Sequence, residues 1–235
     1  ILNLQRRKVM TTLVGLATTV SLDPRTVIAA AKEPRTSHPG APRSAETRGL
    51  ALVLGGGCHR ALAHVGVIKV LEANGIVPDL IVGASAGSMV GALYASGLRA
   101  AVLEKAAAAL SWDTIQKIDL SRFGFYSSDP LRAFINQAVG GRKIEEFPIH
   151  FAALAADLHT GAPHLFERGE AGLAVQASSS TPGVFQPTRV DGRTYIDGGI
   201  VSPVPVSAAR RLGAKIVIGV NVSFPPAEAQ LRNVV

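Results

Sequence analysis

Short runs that are apolar at every position recur along the chain from residue 49 onward, and they alternate with longer Ala- and Leu-rich stretches. Residues 50–54, 80–82 and 216–220 are such runs, and a segment with no polar face fits a strand covered on both sides. Between them, residues 61–73, 88–96, 99–110, 173–180 and 206–212 read as helices. Glycine stops follow the first two, in Asn74-Gly75 and at Gly97. Asp129-Pro130 opens another helix, with Asp as its cap and Pro at its first position, and it runs to Gly140-Gly141. Residues 149–158 and 164–166 read as strands joined by a turn through 160–163, and residues 193–196 as a further strand. Strands alternating with helices predict an α/β sandwich with a mainly parallel sheet.

Composition narrows the class without changing that picture. Apolar residues make up 47% of the chain and charged ones 17%, which excludes disorder for its bulk. Cys58 is the single cysteine, so no internal disulfide can form. The net charge of +7 is unevenly placed. Residues 1–48 hold eight Lys or Arg against three acids, a net of +5. The high pI therefore belongs to the leader, and no nucleic-acid partner is read from it.

That leader is laid out like an export signal over residues 1–31. Arg6-Arg7-Lys8 is basic, residues 9–22 are mildly apolar, and Ala29-Ala30-Ala31 offers small residues to a peptidase. The Arg6-Arg7 pair with Val9-Met10 resembles a twin-arginine signal, which predicts a periplasmic or secreted protein. A disordered basic tail is the alternative. The apolar stretch is too short to span a membrane. Residues 32–48, dense in Pro, Ser, Thr and Arg, read as a linker, and the domain is expected over residues 49–235. A chain that opens on Ile1 and ends at Val235, soon after its last strand, is expected to be a piece of a longer one.

Two glycine-framed turns carry the candidate chemistry. Gly83-Ala84-Ser85-Ala86-Gly87 lies between a strand and a helix, where a sharp turn would hold the serine hydroxyl above the helix N-terminus. Gly55-Gly56-Gly57-Cys58-His59-Arg60 follows the first strand and can converge several backbone N–H groups on one anion. Nucleotide binding is the weaker use of it. The phosphate-loop and dinucleotide spacings both fail at Arg60, and no Lys-Ser/Thr follows. Acyl transfer needs the same cradle for the oxygen that turns anionic when a serine attacks an ester. Both turns follow successive βα units, which a parallel sheet brings to one edge.

The serine needs a base. His150, His159 and His164 follow it, but each lies in or beside a strand with no special turn, so they read as packing or surface residues. Asp197, after a strand and before Gly198-Gly199, can take the hydroxyl proton directly or can be a turn aspartate. Residues 111–128 hold Trp112, Phe123, Phe125 and Tyr126, either a local core or a lid or lipid contact at the site.

Gly-Gly-Gly-x-x-Arg, Gly-x-Ser-x-Gly and Asp-Gly-Gly, in this order, resemble the patatin-like phospholipase family. The likeness continues through Leu62-Ala63-His64-Val65-Gly66-Val67, through residues 155–161 and 177–185, and through Ile200 to Pro205. It covers residues 49–222. The resemblance implies a three-layer α/β/α fold and hydrolysis of acyl-ester lipids by a Ser–Asp dyad without histidine. It makes Ser85 the nucleophile and Asp197 the base. The N–H groups of Gly56, Gly57 and Cys58 would form the oxyanion hole with Arg60 alongside. No metal or cofactor, no nucleotide and no nucleic acid is implied, and contact with a membrane surface would be transient.

The chain departs from the family pattern at Cys58 and Ala61, where glycine is usual. If position 58 needs a left-handed backbone, a side chain there is strained by about 1–2 kcal/mol, and the oxyanion hole is expected to be weakened. The alternative function is therefore a patatin-like lipid-binding protein that has lost turnover through Cys58.

Overall fold

The computed structural model describes residues 49–109, 117–118 and 126–223. The expected leader, the linker, residues 110–116 and 119–125 of the aromatic segment, and the C-terminal stretch from 224 lie outside them.

Four strands build the parallel part of the central sheet: β1 (Leu50–Leu54), β2 (Leu80–Ala84), β5 (His150–Asp157) and β9 (Ile216–Val220). Their apolar runs are explained by burial on both faces. In β1, Leu52 and Leu54 point into one core, while Ala51 and Val53 point into another on the opposite face. β2 repeats the division with Ile81 against Leu80 and Val82. Helices α1 (Leu62–Ala73), α2 (Ala86–Ala95), α3 (Ala100–Ala109), α4 (Asp129–Ala138) and α5 (Ala171–Ser178) pack on the first face. Helix α6 (Val206–Arg211) covers the second with Ala208 and Ala209. The layers are thus α/β/α, as expected.

The sheet is mixed. β1 pairs in parallel with β2 and β9, and β2 with β5. The strands β6 (Pro163–Phe166) and β8 (Arg193–Asp197) run antiparallel to β5, and β7 (Thr188–Val190) antiparallel to β8. A short separate ribbon joins β3 (Lys117–Ile118) to β4 (Tyr126–Ser127).

Register along β5 decides where the site lies. Ala153 faces Gly83 of β2 on one side and Phe166 of β6 on the other, and Ala155 faces Asp197 of β8 and His164 of β6. β2 and β8 therefore lie on the same edge of β5. They run toward each other, and their C-terminal ends meet where Ala84 pairs with Leu154 and Asp197 with Ala155. The residue that follows β2 is Ser85.

Most predicted bounds shift by one or two residues. The 129–130 helix takes Ser128 rather than Asp129 as its cap, which moves Pro130 one place further in. The glycine-rich turn passes through a 3₁₀ turn, Cys58–Ala61, before α1 begins at Leu62.

Candidate active site

Ser85 occupies a turn that only its small neighbours allow. A β-carbon on Gly87 would lie 2.2 Å from the Leu54 carbonyl oxygen, and one on Gly83 2.4 Å from the Ser88 α-carbon. Glycine at both places lets the turn fold onto itself and onto the end of β1. Ser85 itself has φ +53° and ψ −130°, a strained conformation for a residue with a side chain. The surroundings hold it there. Its carbonyl accepts from the Ser88 N–H (2.8 Å) and the Ser88 hydroxyl (2.6 Å). Its own N–H donates to Ser178 Oγ (3.0 Å), and the Ser178 hydroxyl donates on to the Leu154 carbonyl (2.6 Å).

The opposed strand ends bring the second group within reach. Ser85 Oγ donates to Asp197 Oδ2 at 2.7 Å. The carboxylate accepts two further bonds, from Thr181 Oγ1 on Oδ2 (2.7 Å) and from the Gly199 N–H on Oδ1 (2.8 Å). The Asp197 N–H donates to the Ser180 carbonyl (3.0 Å). All these donors are neutral, and they fix both oxygens. Ser85 is 9% and Asp197 5% exposed, so their hydrogen bond is shielded from water.

The later histidines are employed elsewhere. His150, at the far end of β5, pairs with Glu167 (3.3 Å). His164 stacks edge-on against Phe166 and tilts over Tyr195. Burial, with Arg193 nearby, holds its pKa below the ordinary histidine value. His159 is exposed on the turn after β5.

The glycine-rich loop lies directly over the serine. A β-carbon on Gly56 would come within 3.2 Å of Ser85 Cβ. The Gly55 N–H donates to Val220 O and the Gly56 N–H to Pro203 O, each at 3.0 Å. Of the amides expected to face an oxyanion, that of Gly56 is thus already committed to the backbone. Among the described residues, the N–H groups of Gly57 and Cys58 have no acceptor. Cys58 has φ +49°, the left-handed backbone on which the sequence expectation turned. Arg60 Nη1 donates to Ser223 O (3.4 Å). Buried His64 Nε2 lies 2.8 Å from Gly55 O; a carbonyl can only accept, so Nε2 carries the proton.

Ser178, Thr181 and His64 hold the site, yet no sequence rule singled them out. A signal existed for two of them. Ser178-Ser179-Ser180-Thr181 is a dense run of small hydroxyls at the end of an otherwise apolar helix.

The serine opens onto an apolar cavity of about 210 Å³. Val65 of α1, Met89 and Leu93 of α2, Leu103 of α3 and Leu131 and Phe134 of α4 form its walls. Cys58, Ser179 and Thr181 also line it. Among the described residues, no group of three His, Cys, Asp or Glu side chains is placed to share a metal ion, and no helix is long and apolar enough to cross a membrane.

A family model for the patatin-like phospholipases matches residues 52–210, from β1 into α6. The chain belongs to that family. It is 35% identical over 191 residues to an uncharacterized NTE family protein of Mycobacterium tuberculosis, covering 78% of this chain and 53% of that one. It is 31% identical over 179 residues to Lysophospholipase NTE1 of Candida albicans, covering 74% of this chain and 13% of that one. The chain thus spans about half the length of the mycobacterial NTE family relative and a small part of the fungal one. The fold is shared with VipD from Legionella pneumophila, with a TM-score of 0.54 at 14% identity over 69% of this chain and 47% of VipD.

Proposed function

We propose that the chain is a serine hydrolase of acyl-ester lipids that works through a Ser85–Asp197 dyad. The observation that carries this reading is the 2.7 Å hydrogen bond from Ser85 Oγ to Asp197 Oδ2, in a strained turn at the mouth of an apolar cavity. Family membership supports it, as does the name of the fungal lysophospholipase relative.

The steps follow from the geometry. Asp197 takes the hydroxyl proton as Ser85 Oγ attacks the ester carbonyl carbon. The carbonyl oxygen becomes anionic beside the N–H groups of Gly57 and Cys58 and the positive end of α2. The C–O bond to the departing alcohol breaks, and the proton held on Asp197 passes to that oxygen. Water then attacks the acyl carbon, with Asp197 again accepting the proton; the bond to Ser85 Oγ breaks, the proton returns from Asp197 to Oγ, and the carboxylic acid leaves. The acyl chain lies in the cavity between α1, α2, α3 and α4, where burial stabilises it by about 0.8 kcal/mol per methylene. Thr181 and Gly199 hold the carboxylate in line with Ser85. In this reading Arg60 tethers the loop and does not touch the oxyanion.

The test is turnover of a short-chain nitrophenyl ester. Ser85→Ala and Asp197→Asn should each lower kcat by about 10³-fold or more while far-UV circular dichroism stays that of the wild type. A triple variant of His150, His159 and His164 that still folds should retain turnover. Loss of turnover in a folded single histidine variant would replace the dyad with a triad. The second reading, a lipid-binding protein without turnover, draws on the strained backbone at Cys58. A wild type that binds lipid but hydrolyses no ester would establish it.

A further inference from the structure

The run Ser178-Ser179-Ser180-Thr181 closes α5 beside the nucleophile, and three of its four hydroxyls are employed. Ser178 links Ser85 N–H to Leu154 O. Ser180 donates to Gln176 O and meets Thr188 Oγ1 at 2.8 Å, and Thr181 donates to Asp197. Ser179 differs. It is 8% exposed, its Oγ is buried, and that atom has no hydrogen-bond partner. It lines the same cavity as Ser85. Alanine at this position would avoid burying an unsatisfied hydroxyl. The atom itself has almost no accessible surface, so the side chain must turn about its Cα–Cβ bond toward the cavity before a partner there can remove the penalty.

We infer that Ser179 Oγ–H is the hydrogen-bond donor to the departing oxygen of the ester, an inference that rests on the hydrolase reading above. The carbon attacked by Ser85 carries three other groups. The former carbonyl oxygen goes to the Gly57 and Cys58 amides, and the acyl chain goes to the apolar cavity. The departing oxygen is left for Ser179. As the C–O bond breaks, the electron pair moves onto that oxygen, and the proton comes from Asp197. Ser179 keeps its own proton and donates a hydrogen bond to the charge that develops. Such a donor matters most for an alcohol that leaves poorly, such as glycerol, and least for nitrophenolate, which carries negative charge without help.

The experiment compares Ser179→Ala with the full-length wild type on a glyceryl and a nitrophenyl ester of the same short acid. The quantity read is kcat/KM, which reports acylation for both. The variant should lose about 10- to 100-fold on the glyceryl ester, the range for one lost donor to developing charge, and at least tenfold less than that on the nitrophenyl ester. Its melting temperature should equal or exceed that of the wild type, because the substitution removes an unsatisfied buried hydroxyl. Ser179→Cys, a weaker donor of similar size, should fall between the two. Equal losses on both esters would overturn the inference and place Ser179 with loop geometry. A melting point several degrees lower would overturn it in favour of a structural role. If the wild type cleaves neither ester, the hydrolase reading falls and this inference falls with it. If it cleaves both and the variant does not discriminate, only this inference falls.

Discussion

Cys58 shows how a departure from a family pattern is resolved by one dihedral angle. Its φ of +49° lies where a β-carbon crowds the backbone, at a cost of about 1–2 kcal/mol. The sequence suggested that a side chain here would tilt an oxyanion donor. The cysteine takes that left-handed turn and is exposed, and we expect the strain to fall on stability more than on donor placement. Cys58→Gly should therefore stabilise the domain by about 0.5–1 kcal/mol, after allowing for the extra entropy of an unfolded glycine, and should raise kcat by less than tenfold. Urea denaturation beside ester turnover measures both. A larger gain in kcat with unchanged stability would mean that the amide is displaced after all. Ser85 and Asp197 were legible in the sequence because glycines stand on both sides of Ser85 and directly after Asp197. Ser178 and His64 were not, because their roles depend on partners 93 and 9 residues away that only the fold aligns.

At the scale of elements, β1, β2, β5, β6, β8 and β9 were legible as strands, β3, β4 and β7 were not, and directions were legible only in part. The short turn through 160–163 marked β6 as antiparallel to β5, whereas the reversal of β8, which enters after a long connection, left no trace in the pattern. The β7–β8 hairpin did leave one. Asp191-Gly192 has positive φ at both residues, +47° and +77°, as a tight two-residue hairpin turn requires, and such a pair between strand-forming residues is a strong hairpin signal. That hairpin turns the chain so that β8 approaches β2 head-on. Helix α5, which carries Ser178 at its end, is set by its crossing with α4. The Gly172 N–H donates to Asn136 Oδ1 (2.9 Å), and Arg132 grips Glu170 through two bonds. A β-carbon on Gly172 would lie 2.4 Å from the Arg132 carbonyl oxygen. Gly172→Ala should push the helices apart, destabilise the domain by about 1–3 kcal/mol and lower turnover through the displaced Ser178. Denaturation midpoints and kcat check this. Wild-type values for both would mean that α5 does not set the serine.

For the whole molecule, the α/β/α layering was legible because burial on both faces of the sheet dictates it, but the histidine at its centre was not. His64 has no exposed surface, and its Nε2–H is spent on the Gly55 carbonyl. Its Nδ1 faces no acceptor, so a second proton there would be a buried charge without a partner. Burial holds its pKa below the ordinary value. The native state therefore refuses a proton that the unfolded chain takes up below about pH 6.5. Stability should be constant above about pH 7.5 and should fall as pH drops through 6.5, by at most about 1.4 kcal/mol per unit for one such group. Half-buried His164, also held low, adds to the fall in the same direction. Glu145, Asp157 and Glu170 have pKa values lowered by hydrogen bonds, from the N–H groups of Glu145 itself and Gly169, from Thr160 and from Arg132 respectively, and lose their stabilising effect only on further acidification, below about pH 4.5. Urea denaturation between pH 5 and 7.5 thus isolates the histidines. His64→Gln, whose amide can still donate to Gly55 O, should flatten the dependence by roughly the share of one proton. An unchanged slope in that variant would mean that His64 protonates in place, with the loop over Ser85 opening to admit water.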